Sequence, residues 1–428
     1  MIRLPQILLT FVITSLFYFP FELTALPGIN TKMVLAVLGL AFCAVELIKR
    51  RSLGIPTELL FLLILASAVS LISLLSITLN QTPDTTYVSY IVSFCVWLSA
   101  AFAVCCFIRW THGRVDVQLV LDYLIAVCLL QCILSLVIDS NPVLARWVNV
   151  HTAFGQEVTI KTKRLYGIGA LLDVAGLRMA AVLSGIAFFL SEVNAPLSPL
   201  RRFVYILSFL AISIIGNMIA RTTLVGTTLG AVAILLGLFL KPSSPSSGEK
   251  LPTLFSWLLI LGAGIAVCVV LYNTNPQAHK LFRFAFEGFF NLVEKGHWEV
   301  SSNEKLKTMV VFPETLHTWI IGDGYFMNSR YDENYLGDST DMGFYMGTDI
   351  GYLRFIFYFG ILGLIPMLGI IIYSAVVCMR HFPSECFFFL LALLVGLIVW
   401  LKVSTDVFIY LALFLSAAAL QKESTIML

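Results

Sequence analysis

Residues 350–379 read IGYLRFIFYFGILGLIPMLGIIIYSAVVCM, a long apolar stretch whose only charge is Arg354. One helical crossing of a bilayer core needs roughly 20 consecutive apolar residues, so this stretch alone predicts a membrane span. Working outward, windows of about 19 residues find comparable segments at 7–23, 33–48, 59–79, 88–108, 119–138, 171–190, 203–219, 224–240, 254–272, 387–401 and 403–420. With 350–379 they make about twelve transmembrane helices. The expected fold class is an all-α polytopic membrane protein, with residues 1–428 as a single membrane domain.

Composition agrees with this. The chain is 59% hydrophobic and 12% charged, against roughly 25% charged residues in a soluble domain. A formal charge of +2 with no basic block excludes a nucleic-acid binder, and the apolar content excludes a disordered tail. The nine cysteines lie in or beside the apolar windows, which implies neither a disulfide framework nor a thiolate metal site.

Short cytoplasmic loops are enriched in Lys and Arg. Lys49, Arg50 and Arg51 follow the second window, Arg109 and Arg114 the fourth, Arg201 and Arg202 the sixth, Lys241 and Lys250 the eighth and Arg380 the tenth. Every even-numbered exit is basic, so both termini are expected in the cytoplasm and the odd-numbered connections outside.

Two outer connections are long, 139–170 and 273–348, and long connections in compact proteins tend to carry function or to be disordered. In the second, Phe282, Phe286, Phe289 and Val293 recur at helical spacing against Lys280, Arg283, Glu287 and Glu294. This predicts an amphipathic interfacial helix that roofs the outer face.

Several charges resist a purely structural reading. Arg146, Lys161, Lys163 and Arg164 sit on the outer side, where basic residues are not favoured. Asp173 and Arg178 fall inside the sixth window, Arg221 in the turn between the seventh and eighth, and Asp349 and Arg354 at the outer end of the tenth. A charge at the bilayer centre costs about 2.5–3.5 kcal/mol, so such residues face a partner or a polar cavity. One reading pairs Asp173 with Arg178 and lets Arg221 and Arg354 snorkel to lipid phosphates. The other takes Arg164, Arg178, Arg221 and Arg354 as one set of planar forks suited to phosphate oxygens, a site for an anionic lipid head group such as a diphosphate.

Other constellations are weaker. Gly322-Asp323-Gly324 reads as a turn rather than a nucleotide signature. His317 is a candidate general base, or a surface residue. Asp338, Asp341 and Asp349 match no calcium-loop spacing, and solvated carboxylates are the default. No metal site and no cofactor are expected.

Four runs carry a resemblance: RLYGIGALLDVAG at 164–176, GNMIARTT at 216–223, IGDGY at 321–325 and TDIGYLRFIFYFGILGL at 348–364. Together, in this order and with a large outer loop before the tenth span, they resemble the O-antigen polymerase and O-antigen ligase superfamily of bacterial envelope enzymes. The resemblance implies a metal-independent, inverting, GT-C-like membrane glycosyltransferase in the bacterial inner membrane, its active site facing the periplasm. It implies polymerisation of undecaprenyl-diphosphate-linked oligosaccharide units into O-antigen or capsular or exopolysaccharide. The implied partners are the lipid-linked glycan donor and acceptor, membrane lipids and a chain-length regulator protein, with no nucleic acid.

Arg164 and Arg221 best match the family's diphosphate-holding arginines, with Arg178 and Arg354 added by proximity. A ligase, transferring the glycan to lipid A core, would use an outer-loop histidine, for which His317 and His297 are available. Glycosyl transfer from a diphosphate needs charge neutralised on the leaving group and one acceptor hydroxyl activated. Asp349 is the first candidate for the second task and His317 the next. The rival from another class is a lipid-linked oligosaccharide flippase or another transporter, which would typically show an internal repeat and discontinuous helices. No repeat is visible in the sequence.

Overall fold

The computed structural model describes residues 4–50, 56–153, 164–191, 197–240, 262, 264–327, 343–405 and 407–426. Within these, helix follows helix: α1 (Leu4–Tyr18), α2 (Thr31–Arg50), α3 (Thr57–Asn80), α4 (Tyr90–His112), α5 (Val117–Ser140), α6 (Pro142–His151), α7 (Leu172–Ser191), α8 (Pro199–Ile219) and α9 (Thr223–Leu240). Then come α10 (Gly264–Thr274), α11 (Pro276–Ala285), α12 (Glu287–Lys295), α13 (Ser301–Thr308), α14 (Leu316–Ile320), α15 (Gly351–His381), α16 (Cys386–Val399) and α17 (Phe408–Ile426). Two short strands, Glu22–Leu23 and Thr152–Ala153, pair antiparallel. The window at 254–272 lies partly outside the described residues, and those at 7–23 and 403–420 overrun α1 and α17 at one end. Seven helices, α2 to α5, α7, α8 and α15, are long and apolar enough to cross a membrane. Their outward faces carry residues such as Val34, Val37, Leu40, Ile64, Leu71 and Ile133, far more exposed apolar surface than water tolerates. The chain is an all-α polytopic membrane protein.

The helices cluster into two compact units, one formed by 1–17, 29–120 and 301–428, the other by 18–28 and 121–300. In the second unit α7 is the core element, with nearly every side chain from Ala175 to Ser191 buried, and α8 and α9 pack against it. A Cβ on Gly226 of α9 would lie 2.3 Å from the Ala180 Cα of α7. Small residues permit such backbone contact, and close packing is what holds helices together where lipid is as apolar as the side chains. The connection after α5 contains α6, started by Asn141, whose side chain accepts from the Val143 and Leu144 amides. Lys161 and Lys163 lie outside the described residues.

The single amphipathic helix expected across 280–294 is two helices, α11 and α12, meeting at Phe286 with φ −118° and ψ 30°. The cause is local. The Trp298 ring packs on Gly288, and Asn291 Nδ2 donates to the Glu299 carbonyl at 2.7 Å, folding the chain back on α12. Phe282 is therefore buried while Phe289 and Val293 are exposed, so the four residues do not form one face.

In the first unit α15 packs on α3, α14, α16 and α17. The stretch 350–379 is not one continuous helix, because Phe359 (φ −137°, ψ 17°) and Gly360 (φ 65°, ψ −171°) interrupt it. From Ile361 to His381 the helix extends roughly 30 Å at about 1.5 Å per residue, enough to cross a bilayer alone. Gly351 to Tyr358 is then a separate half-helix, and it carries Arg354.

A break inside an apolar helix strands backbone groups, which low-dielectric surroundings do not forgive. Here the turn Gly322-Asp323-Gly324 answers them. The Asp323 amide donates to the Phe357 carbonyl at 2.6 Å, and the Gly324 amide to the Tyr358 carbonyl at 3.1 Å. Ser76 of α3 adds a bond from its Oγ to the same Tyr358 carbonyl at 2.8 Å. The turn expected at Gly322 is present, and its role is to plug the broken helix.

Candidate functional site

Arg164 stands at the start of the extended segment leading into α7, its neighbour Leu165 tied by its amide to the Met218 carbonyl at 3.3 Å. Arg221 projects from the tight turn between α8 and α9, which closes with Thr223 N donating to Ala220 O at 3.0 Å. Both meet over one ring. The Arg221 Cζ lies 4.3 Å and the Arg164 Cζ 5.1 Å from the Phe284 centroid. Phe284 is supplied by α11.

The two guanidinium groups are not equally committed. Arg221 donates from Nε to the Phe284 carbonyl at 2.9 Å and pairs with Glu287 at 2.7 Å. Arg164 Nε is buried and has no hydrogen-bond acceptor. Burial pulls the Arg221 pKa down, Glu287 pushes it up, and the Arg164 charge pulls it down again. A buried guanidinium with an unmet N–H beside a second cation favours an anion that can take both. Asp173, at the first turn of α7, accepts from the Thr222 hydroxyl. Arg178 is buried deeper on α7, with its Cζ 5.8 Å from the Phe19 ring and its carbonyl accepting from Tyr18 OH at 2.8 Å. The structure thus brings Arg164 and Arg221 together on Phe284, and surrounds Arg178 with α1-end aromatics.

Arg354 and Asp349 belong to the first unit, and the structure brings them together. Arg354 NH1 donates to Asp349 Oδ1 at 3.1 Å and to Ser404 Oγ at 2.7 Å, and NH2 to the Phe326 carbonyl at 3.1 Å. Its Cζ lies between two rings, 3.6 Å from Phe326 and 4.5 Å from Phe344. Arg354 is a strut joining the loop at 326, the half-helix and the segment before α17. Asp349 is its counter-charge. The Ile350 amide before the half-helix donates to Thr348 Oγ1 at 3.3 Å.

His317 lies on α14, exposed, with Nε2 2.9 Å from Asn80 Oδ1 at the end of α3. Thr315 starts α14 by accepting from the Thr318 amide. Close by in the chain, Asp323 receives Thr318 Oγ1 at 2.7 Å and Tyr345 OH at 3.2 Å. Burial raises the Asp323 pKa, and those two hydrogen bonds and the His317 charge oppose the rise. His297 is exposed beside Glu299 at 3.4 Å. Asp338 and Asp341 lie outside the described residues, within which no group of three or more His, Cys, Asp or Glu gathers as a metal site.

Phe284, Asn80 and Ser404 were not singled out by sequence reasoning. Asn80 left a faint signal, an amide closing an otherwise apolar window; Phe284 left none, being one phenylalanine among 33. Searches against protein-family models, characterised proteins and solved structures find no match to the chain.

Proposed function

We propose that this protein is a membrane glycosyltransferase that lengthens lipid-linked glycans, polymerising undecaprenyl-diphosphate-linked oligosaccharide units by inverting transfer. The observation that carries the reading is the Arg164–Phe284–Arg221 cluster, in which one buried guanidinium N–H has no acceptor. Two forks on one aromatic ring suit the paired phosphates of a diphosphate leaving group, whose developing charge they would stabilise. The proposal includes twelve spans, both termini in the cytoplasm and the arginine pair on the periplasmic side of the inner membrane, as the basic even-numbered exits indicate. A chain-length regulator and the two lipid-linked glycans are the proposed partners.

Of the arginines, Arg164 and Arg221 are the proposed diphosphate ligands. Arg354 already spends three donor contacts inside the protein, and its proposed role is support. The same contact occupies Asp349, which shifts the proposed acceptor-activating role to His317. A flippase is favoured by one observation, the discontinuous helix α15, since transporters use such breaks to bind cargo. The carbonyls freed at this break already receive Asp323, Gly324 and Ser76, which supports a structural rather than a cargo-binding break. The deciding experiment mixes the purified protein with lipid-linked oligosaccharide and separates products by size. Longer glycans on the lipid support the transferase; unchanged glycans that move between leaflets of a vesicle support the flippase. Transfer onto lipid A core would instead mark a ligase.

A further inference from the structure

The break between α11 and α12 presents three groups to one arginine. Phe284 lies in the last turn of α11, and Glu287 is the first residue of α12. Arg221 Nε donates to the Phe284 carbonyl at 2.9 Å, its Cζ lies 4.3 Å from the Phe284 ring centroid, and its NH2 pairs with Glu287 Oε2 at 2.7 Å. Carbonyl and ring thus hold the guanidinium independently of the carboxylate. Arg164, 5.1 Å from the same ring, brings a second cation whose buried Nε has no acceptor. The charged groups acting on Arg221 are Glu287, Arg164 and Asp173, so the two arginines are balanced by the two carboxylates. While Glu287 stays, no net positive charge is left for a ligand that carries two phosphates. The Glu287 side chain is 26% exposed and that of Arg221 13%, so the carboxylate is the partner that can move into water. All of these residues belong to the second unit.

We propose that Glu287 is a resident anion that holds Arg221 in the free protein and is displaced into water when a lipid diphosphate takes both guanidinium groups. This rests on the diphosphate reading above. A diphosphate offsets the lost ion pair because each phosphate meets one arginine: Arg221 exchanges a carboxylate for a phosphate, and Arg164 gains an acceptor for its Nε. A ligand with one phosphate makes only one of these contacts. Glu287 thereby sets a threshold that a diphosphate crosses and a membrane phospholipid does not. Apparent affinity falls with the fraction of time the site is open, so a pair closed about nine-tenths of the time weakens binding about tenfold.

The test uses the full chain in detergent, with undecaprenyl diphosphate as ligand and phosphatidylglycerol as single-phosphate competitor. Glu287→Gln should bind undecaprenyl diphosphate about tenfold more tightly than the wild type. A carboxylate that merely orients Arg221 would give the opposite sign. In the wild type, labelling of Glu287 by a carbodiimide and a soluble amine, read by mass spectrometry, should rise when undecaprenyl diphosphate is added. This arm reads the displacement even where the glutamine variant does not fold. An excess of phosphatidylglycerol should leave the lipid diphosphate bound. Unchanged or weaker binding by Glu287→Gln, labelling that stays constant or falls, or release by phosphatidylglycerol overturns the proposal, while binding by the wild type keeps the diphosphate reading. No binding of undecaprenyl diphosphate by either protein overturns the diphosphate reading and the displacement with it.

Discussion

Gly322 and Gly360 mark the place where the plugging turn and the broken helix pass backbone to backbone. A Cβ on Gly322 would lie 2.6 Å from the Phe359 amide nitrogen, and one on Gly360 would lie 2.1 Å from the Ile320 carbonyl oxygen. Both glycines have positive φ, 85° and 65°. Left-handed backbone costs an L-residue about 1–2 kcal/mol, and here the added carbon also meets main chain that cannot step aside.

Gly360→Ala and Gly322→Ala should therefore each destabilise the fold by at least about 3 kcal/mol. Thermal unfolding in detergent, with an alanine at the open position Gly262 as control, checks this. Melting temperatures within about 2 °C of wild type would remove the account of the docked break.

Arg164 and Arg221 should separate in their response to lysine. Arg164→Lys gives up no hydrogen bond at Nε and should leave stability near wild type. Its polymerising activity should nonetheless drop by about 10- to 100-fold, because an ammonium cannot supply a planar fork. Arg221→Lys should lose both activity and stability, the latter by about 1–2 kcal/mol, as the bond to the Phe284 carbonyl and the Glu287 pairing are disturbed. Near-normal polymer from both variants would end the diphosphate-ligand reading.

Asp349→Asn removes from Arg354 its ion-paired carboxylate in a site where the side chains are 6% and 19% exposed. The expected result is a loss of about 2–3 kcal/mol in stability, with specific activity retained in whatever protein remains folded. A stable Asp349→Asn protein without activity would return the base role to Asp349.

The Asp323 carboxyl gives a pH dependence whose sign can be worked out. Its folded pKa is raised, chiefly by burial, so the folded state holds the proton to higher pH than the unfolded chain does. Stability from this group is full below the ordinary aspartate value of about 4 and is lost as pH rises through the folded pKa. Asp323→Asn should flatten that part of a melting-temperature profile. An unchanged slope in the asparagine variant would assign the dependence to another group.

The membrane class and the seven long apolar helices were legible in the sequence, because hydropathy is a sum over neighbouring residues and needs no knowledge of the fold. The break in α15 was not. Gly360 sits in a run of uniform hydropathy, and only the turn at Gly322, distant in sequence, makes its backbone conformation necessary. The helix expected over 280–294 is likewise two: its 3.6-residue pattern is real in sequence, yet the chain breaks at Phe286 between α11 and α12.

The arginines show the division most clearly. By charge and position in the sequence, Arg164, Arg178, Arg221 and Arg354 formed one set of cations placed where lipid or outer-face charge rules disfavour them, and only the resemblance set Arg164 and Arg221 apart. What distinguishes them is how many of their N–H groups the protein itself already uses. Arg164 and Arg354 both keep a buried Nε with no acceptor, but the NH1 and NH2 groups of Arg354 are held by Asp349, Ser404 and Phe326. Composition decides that a charge is present and costly to bury; only the tertiary neighbours, brought from positions far apart in the chain, decide whether that charge is satisfied from within.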